Sequence, residues 1–419
     1  MAECPSDEDV FPTLPMAAPV SAPVAAGAAR KPKASRKRRR AAAPAAPPLA
    51  LTHERASWTP EPVPRLTAPR QSVLSGWAGV VPPAPVPVPE GGYLVVDLFC
   101  SIGGVSVAAK ELGHTVVLGV DMDAKRLAVH ALNFPDAEHL QLRLGPDTEA
   151  QLLERIHTLV PPEQRHRLWL HVSPPCQAQS NMHRIATNAN LHAIHAQKAQ
   201  EKVDGLATVR WALQLVVKLQ PAQFSLEEVP DGGRRVVGLL QQFKRAHPSL
   251  VDFEVLRAVD FGVPQTRPRV IGGRPATMHA LRLAPSLRAP RPVSVRDVVD
   301  AATIPDRAVF IHGPKHLKVK VGLARRCPET PGTHTDGFCF WHELDRPGPT
   351  IHTQANRWLD ESLQFVCTTD AHFHQRMMTF PDWFAWHHGT TLSAKREGYG
   401  NAVPPALMRA VFRAASTSV

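Results

Sequence analysis

Short apolar runs alternate with helical segments from Tyr93 to Gly272, and this alternation constrains the fold more than any other feature of the chain. No apolar run is long enough to span a membrane, and the runs are typical of buried strands. Repeated strand–helix units of this length imply a mostly parallel sheet with helices on both faces. We therefore predict an α/β domain with a Rossmann-like, mostly parallel sheet.

The first of these units carries a candidate ligand site. A strand over 94–99 runs into the turn Cys100-Ser101-Ile102-Gly103-Gly104, then a helix over 105–112 and a second strand that ends at Asp121. Glycines let the backbone approach a ligand, and an acid about twenty residues further on can accept hydrogen bonds from two ribose hydroxyls. The unit suits NAD, FAD or S-adenosylmethionine, but it is not GxGxxG, which disfavours a dinucleotide.

A second candidate site is Ser173-Pro174-Pro175-Cys176-Gln177, which follows the apolar run 168–172. The prolines fix φ and end the strand, so Cys176 is presented at a strand's carboxyl end, where open α/β sheets place their chemistry. Cys176 is thus a candidate nucleophile. The alternative for a lone cysteine is a buried thiol with no chemical role.

The basic composition points to a polyanionic partner, nucleic acid before membrane. The 419 residues carry a formal charge of +11, and residues 30–40 alone hold eight Lys or Arg. Residues 1–90 contain 18 of the 42 prolines, so we expect a disordered Pro/Ala-rich arm. Its basic cluster is read as a nuclear-import address or a DNA tether, or else as a solvated charge run. The first reading places the protein in a nucleus, and otherwise we expect it in the cytoplasm.

The remaining composition predicts a protein of a reducing compartment. Six cysteines are scattered without CxxC pairs, and no signal peptide begins the chain.

We expect the sheet domain over 91–274 and a smaller, loop-rich module over 275–390, without a clear helix in 275–345. A C-terminal segment, 391–419, is expected to return to the sheet domain with a helix over 406–414.

Seven stretches, in order, resemble the motifs of the cytosine-C5 DNA methyltransferases and span about 93–410. They are 97–104 (DLFCSIGG), 119–121 (GVD), 173–177 (SPPCQ), 226–230 (LEEVP), 261–269 (FGVPQTRPR), 349–351 (PTI) and 400–405 (GNAVPP). The resemblance implies transfer of a methyl group from S-adenosylmethionine to carbon 5 of a cytosine. It also implies a small target-recognition domain, centred on 275–345, beside the Rossmann-like catalytic domain.

The resemblance implies that Cys176 is the nucleophile and Glu227 its acidic partner, with Gln265, Arg267 and Arg269 along the site and Arg269 nearest the base. Thiolate addition at carbon 6 turns the ring into an enamine that can attack the sulfonium methyl. A carboxylic acid near N3 and an arginine near the carbonyl of the ring stabilise the negative charge that this addition places in the ring.

The resemblance also implies the cofactor site. Phe99 stacks on the adenine, Met122 packs on its other side, and Asp121 binds the ribose. The remaining predicted cofactor residues are Ser101, Gly103, Gly104, Pro174, Asn401 and Val403. The expected partner is double-stranded DNA with the cytosine flipped out of the helix, and we expect a monomer without membrane association.

Three positions depart from the family pattern: Ser101 replaces a glycine, Glu228 an asparagine, and Arg143 stands near an expected aspartate, for which Asp147 is an alternative. These departures leave open a degenerate, DNA-binding scaffold. A second alternative is methylation of a tRNA cytosine, although the Cys-Phe-Thr signature of that subset is absent. The target sequence and the role, whether restriction-modification, host evasion or silencing, stay open.

We predict no metal site. Cys327, His334, Cys339 and His342 are potential zinc ligands, but their spacing matches no standard zinc finger.

Overall fold

The computed structural model describes residues 88–175, 191–230, 235–298, 307–312, 339–351, 353, 356–359 and 365–417. Its strands are β1 (Leu94–Leu98), β2 (Thr115–Asp121), β3 (Glu138–Gln141), β4 (Leu168–Val172), β5 (Gln223–Glu228), β6 (Asp252–Arg257), β7 (Pro268–Gly273), β8 (Arg307–His312), β9 (Cys339–Glu343), β10 (Asn356–Leu359) and β11 (Phe365–Thr368). Its α-helices are α1 (Gly104–Glu111), α2 (Ala124–Asn133), α3 (Glu149–Leu159), α4 (Leu191–Leu219), α5 (Arg235–Ala246), α6 (Pro275–Leu283), α7 (Ala371–Met377), α8 (Leu392–Asn401) and α9 (Pro405–Ala414).

The larger sheet has seven strands in the order β3-β2-β1-β4-β5-β7-β6. The pairs from β3 to β5 are parallel, whereas β7 runs antiparallel to both β5 and β6. The prediction of a mostly parallel α/β sheet is therefore confirmed. Strand order reverses between β1 and β4, so their carboxyl ends open a crevice there, where ligands bind in such folds.

Two apolar clusters of the described residues cover the two faces of this sheet. One face packs under α1, α6 and α9, with Val95, Trp169 and Phe412 among its buried residues. The other packs under α3, α4 and α5 around Val96, Leu170 and Leu226. Val95 and Val96 contribute to opposite clusters because successive strand side chains point to opposite faces.

A second sheet, of four antiparallel strands in the order β11-β10-β8-β9, lies within 307–368. The expectation that 275–345 lacks a clear helix is wrong, because α6 occupies 275–283 and buries Met278 and Leu281 against the large sheet's apolar cluster. Pro275 at its first turn had suggested a break, yet proline is tolerated there because its missing N–H would be unpaired anyway.

Several aromatic residues of 371–388 pack together. The rings of Phe380 and Phe384 lie 4.7 Å apart, and Phe380 also lies 5.1 Å from Tyr399 of α8. The final helix, predicted over 406–414, is α9 at 405–414. No helix in the described part of the chain is long and apolar enough to cross a membrane.

Gly104→Ala tests how closely the C-terminal segment packs on the β1–α1 turn. A Cβ at Gly104 would lie 2.0 Å from the Val403 carbonyl oxygen, so backbone must move. We expect the free energy of unfolding, measured in urea, to fall by about 1–3 kcal/mol.

The matched control is Gly238→Ala within α5, where a Cβ would meet nothing within 4 Å. Removing glycine from a helix interior stabilises it by roughly 0.5–1 kcal/mol. Equal effects of the two substitutions would contradict the packing argument.

Candidate active site

The β1–α1 turn, residues 99–104, is a left-handed turn built close to β2. Phe99, Ser101 and Gly103 have φ of 60°, 48° and 97°. The turn is closed by hydrogen bonds from the Cys100 N–H to the Val120 carbonyl (3.0 Å) and from the Gly103 N–H to the Cys100 carbonyl (2.8 Å). A left-handed φ explains why glycine is expected at 101, and serine there carries a strain of order 1 kcal/mol or more.

Asp121, at the tip of β2, supports this turn from below. Its Oδ2 accepts a hydrogen bond from the Ser101 N–H at 2.9 Å, and its Oδ1 accepts one from the Asp123 N–H at 2.8 Å. Each carboxylate oxygen has two lone pairs, so both can accept a further hydrogen bond from a ligand hydroxyl.

The two residues predicted to contact the adenine, Met122 and Phe99, differ in exposure. Met122 is 61% exposed, a large value for an apolar side chain, and lies next to the carboxylate in the chain. Phe99 is half-buried, with its ring edge-on to Trp211 of α4 at 6.5 Å. Trp211 was not predicted, because α4 lies more than a hundred residues further along the chain and its sequence carries no motif.

The C-terminal segment 398–403 covers the turn. A Cβ at Gly398 would come within 3.0 Å of the Ile102 side chain, and Val403 contacts Gly104. Asn401 lies between these two contacts. The side-chain amide nitrogen of Asn401 and the hydroxyl of Ser101 are both buried without a hydrogen-bond partner among the described residues.

These polar atoms fit the cofactor that the sequence predicts. A buried amide or hydroxyl without a partner is costly, and a bound ligand with polar groups satisfies it. The Asp121 carboxylate suits ribose hydroxyls, and the Ser101 hydroxyl and Asn401 amide can take the polar atoms of a nucleoside or amino-acid group. This side of the crevice can therefore hold an adenosyl amino acid.

Glu227 and Arg269 form an ion pair on neighbouring strands. The Arg269 Nε lies 2.5 Å from the Glu227 Oε1, and the two residues are 6% and 8% exposed. Glu227 of β5 pairs with Ile271 of β7, two residues after Arg269, so both charged side chains share one face of the sheet. Two of the predicted catalytic residues are thus brought together near the carboxyl end of β5.

Gln265 and Arg267 are engaged by backbone groups. The Gln265 amide donates to the Met377 carbonyl at 2.7 Å and accepts from the Ile351 N–H at 3.0 Å. Arg267 donates to the carbonyls of Ile351 (3.3 Å), Gly400 (3.0 Å) and Ala402 (3.3 Å). These contacts join residues 351, 377 and 400–402 to the segment that leads into β7. The predicted position of Gln265 and Arg267 along the site stays a prediction.

The loop that carries the predicted nucleophile leaves β4 beside the β1–α1 turn. The Ser173 N–H donates to the Leu98 carbonyl at 3.3 Å, its hydroxyl donates to the Phe99 carbonyl at 3.4 Å, and Pro174 is buried. Cys176 itself lies outside the described residues, and its role stays a prediction.

The positions that depart from the family pattern are now placed. Glu228 is fully buried and accepts a hydrogen bond from the Val229 N–H at 2.7 Å, on the face opposite to Glu227. Arg143 and Asp147 are both exposed. Within the described ranges, no three His, Cys, Asp or Glu side chains form a metal-binding group, and Cys327 and His334 fall outside those ranges.

Removing one member of the Glu227–Arg269 pair should cost more than removing both. Arg269→Met leaves a nearly buried carboxylate without its cation, and we expect the free energy of unfolding to fall by about 3 kcal/mol. In the double variant Glu227→Gln/Arg269→Met that uncompensated charge is gone, so we expect a smaller loss in urea unfolding. A double variant that loses the sum of both single effects would contradict an energetically coupled pair.

Comparison with known proteins agrees with these observations. Residues 93–273 match the family of C-5 cytosine-specific DNA methylases. The Type II methyltransferase M.XorII of Xanthomonas oryzae pv. oryzae is 24% identical over 378 residues, 75% of this chain and 82% of that protein. The Type II methyltransferase M1.HphI of Haemophilus parahaemolyticus is 31% identical over 185 residues, 42% of this chain and 44% of that protein.

Among solved structures, the S. pombe Dnmt2 methyltransferase is 13% identical and superposes with a TM-score of 0.46, covering 77% of this chain and 98% of that chain. The matched curated relatives are bacterial, and the basic cluster 30–40 lies outside the described residues, so the predicted nuclear location has no support.

Proposed function

Through residues 93–273 the chain belongs to the C-5 cytosine-specific DNA methylases, and from that premise we propose that it is a DNA (cytosine-5) methyltransferase that uses S-adenosylmethionine. The observation that carries the proposal is the buried Glu227–Arg269 pair near the carboxyl end of β5, within the matched domain. β5 is the neighbour of β4, the strand after which Cys176 follows in the sequence. An acid held against an arginine, together with a cysteine nucleophile, is what cytosine activation requires.

The chain's own residues would hold the cofactor, which supplies the methyl group. Asp121 would accept hydrogen bonds from the ribose, and Phe99 and Met122 would contact the adenine. The buried Ser101 hydroxyl and Asn401 amide, which have no partner among the described residues, would hydrogen-bond to polar groups of the cofactor. The backbone of Gly103 and Gly104 would contact it as well.

The proposed chemistry begins at Cys176, whose thiolate adds to carbon 6 of a flipped-out cytosine. Glu227 lies at N3 and the exocyclic amine, where it stabilises the charge that addition places in the ring. Arg269 contacts Glu227 through Nε and donates from Nη1 to the Pro268 carbonyl at 2.7 Å. In the proposed mechanism its remaining N–H groups would donate to the pyrimidine carbonyl. Carbon 5 of the resulting enamine would then take up the methyl group. A base removes the carbon-5 proton, and its electron pair restores the ring double bond as the carbon–sulfur bond breaks and the Cys176 thiolate leaves.

The proposed substrate is double-stranded DNA, in keeping with the net charge of +11 and the DNA methylase family. Phosphate contacts by Lys and Arg hold the duplex, and the extrusion of the base costs a few kcal/mol.

Transfer of labelled methyl groups from S-adenosylmethionine to DNA tests the proposal. We expect incorporation by the wild-type protein and loss of at least 1000-fold in Cys176→Ala, because no covalent adduct can form; a factor of 1000 corresponds to about 4 kcal/mol of barrier. The matched control is Cys4→Ala, the same chemical change in the N-terminal arm, which should leave the rate unchanged. Equal incorporation by wild type and Cys176→Ala would refute the mechanism.

The acceptor distinguishes the remaining alternatives. Incorporation into DNA but not tRNA supports the proposed substrate, and the reverse result would identify an RNA cytosine methyltransferase. Absence of cofactor binding in calorimetry would instead favour a DNA-binding scaffold. Bisulfite sequencing of DNA from cells that express the protein then gives the sequence context of the methylated cytosines.

A further inference from the structure

Four buried or half-buried polar side chains, Asp97, Ser106, His130 and His139, form a hydrogen-bonded series under the β1–α1 turn. The Ser106 hydroxyl donates to Asp97 Oδ2 at 2.7 Å and lies 2.9 Å from His130 Nε2. His130 Nδ1 lies 2.8 Å from His139 Nε2. Asp97, Ser106 and His130 are at most 1% exposed, whereas His139 is half-buried and forms the outer end of the series.

When Asp97 is ionised, the hydrogen bonds of this series all run in one direction. The Ser106 hydroxyl donates to Asp97 and accepts from His130, which then carries its proton on Nε2. His130 Nδ1 in turn accepts from His139 Nε2. The hydrogen bond from Ser106 lowers the pKa of Asp97 and so stabilises its charge, against the larger opposing effect of burial.

The His130 ring also fills the space beneath two glycines. A Cβ at Gly103 would lie 2.9 Å from His130 Cδ2, and a Cβ at Gly119 would lie 2.8 Å from His130 Cε1. The imidazole is therefore wedged between the β1–α1 turn and β2.

Several charged or titratable groups surround Asp97. Asp121 of β2 and Cys100 of the turn interact electrostatically with Asp97. His130 Nε2 lies 4.0 Å from Asp97 Oδ2, and His139 of β3 is the outer member of the hydrogen-bonded series. His171 of β4 is the register partner of Asp97. Burial is the largest cause that raises the pKa of Asp97, to about 7, and the nearby Asp121 adds to it. Burial lowers the pKa of His130 and of His171 to about 3, so both rings are neutral.

We propose that His130, oriented by Ser106 and His139, is a positioning residue for the β1–α1 turn. We further propose that these four hydrogen-bonded side chains couple cofactor binding to the protonation of Asp97. The inference rests on the proposed use of S-adenosylmethionine. No family motif includes His130, Ser106 or His139 in this role, and the sequence singled out none of them.

The direction of the coupling follows from charge. A positive sulfonium held at the β1–α1 turn would favour the ionised form of Asp97, so binding would lower the pKa of Asp97 and release its proton to solvent. By linkage, cofactor affinity rises as the pH rises through about 7. A binding-induced shift of one pKa unit corresponds to a tenfold change in affinity.

Calorimetric titration of the full-length protein with S-adenosylmethionine at pH 6 and pH 8 tests the proposal. With a shift of one pKa unit on binding, we expect the wild type to bind roughly fivefold more tightly at pH 8 than at pH 6. In Ser106→Ala, Asp97 loses the hydrogen bond that stabilises its charge, so the rise in affinity should move to higher pH. The affinity at pH 7 should then fall several-fold, while alanine keeps α1 helical. Any titration of the cofactor itself affects wild type and variant equally, so it does not contribute to the difference between their affinities at each pH.

His139 provides the conservative rescue. His139→Leu removes the donor to His130 and should move the pH midpoint in the same direction as Ser106→Ala. His139→Gln retains an N–H donor that does not titrate and should restore the wild-type midpoint. Because His139 is half-buried, both variants are expected to fold, and the urea unfolding midpoint monitors this.

The outcomes separate the two proposals. Wild-type binding that is equally tight at both pH values, or the same pH midpoint in wild type, Ser106→Ala and His139→Leu, overturns the coupling while leaving the methyltransferase proposal intact. No binding of S-adenosylmethionine by the wild type at any pH overturns the proposed function, and this inference with it.

Discussion

The close packing of the Val403 carbonyl on Gly104 is the contact on which the cofactor side of the crevice depends. It joins the beginning of the sheet domain to a segment almost three hundred residues further along the chain. Arg267 stabilises the same closure by donating to the carbonyls of Gly400 and Ala402, on either side of Asn401. Glycine at 104 is required by the proximity of another backbone, since any side chain there would displace the segment that carries Asn401.

The reversed strand β7 has an equally direct consequence. In an all-parallel sheet, residues near the carboxyl end of β5 would lie beside other carboxyl-terminal residues. Because β7 runs antiparallel, the residues at its start, including Arg269, come to the same edge as Glu227 at the end of β5. The ion pair is therefore a product of topology, and the proposed acid owes its fixed position to the one strand of the sheet that breaks the parallel pattern.

Four polar residues and one glycine also form a row across the middle of the sheet. His139, Gly119, Asp97, His171 and Ser225 are register partners on five successive strands. His171 accepts or donates a hydrogen bond with Ser225 at 2.8 Å, and Trp169 donates to the same hydroxyl at 2.9 Å. A buried polar row of this kind is stable only when hydrogen-bonded, which ties the orientation of the residues under the cofactor turn to the packing of α1 and α2.

The amino-acid sequence by itself determined the α/β class, the βα alternation through 272, the final helix and the β1–α1 turn with its acid at Asp121. These features are local: apolar runs, glycines and prolines act on their own backbone. The sequence could not tell which groups the side chains of Gln265 and Arg267 contact, because the same short motif carries them and Arg269. Only the tertiary structure decided that their side chains join distant backbone segments while Arg269 meets Glu227. It also decided that His130 fills the space left by Gly103 and Gly119, because contacts between residues far apart in the chain depend on strand order and helix packing, which no local pattern encodes.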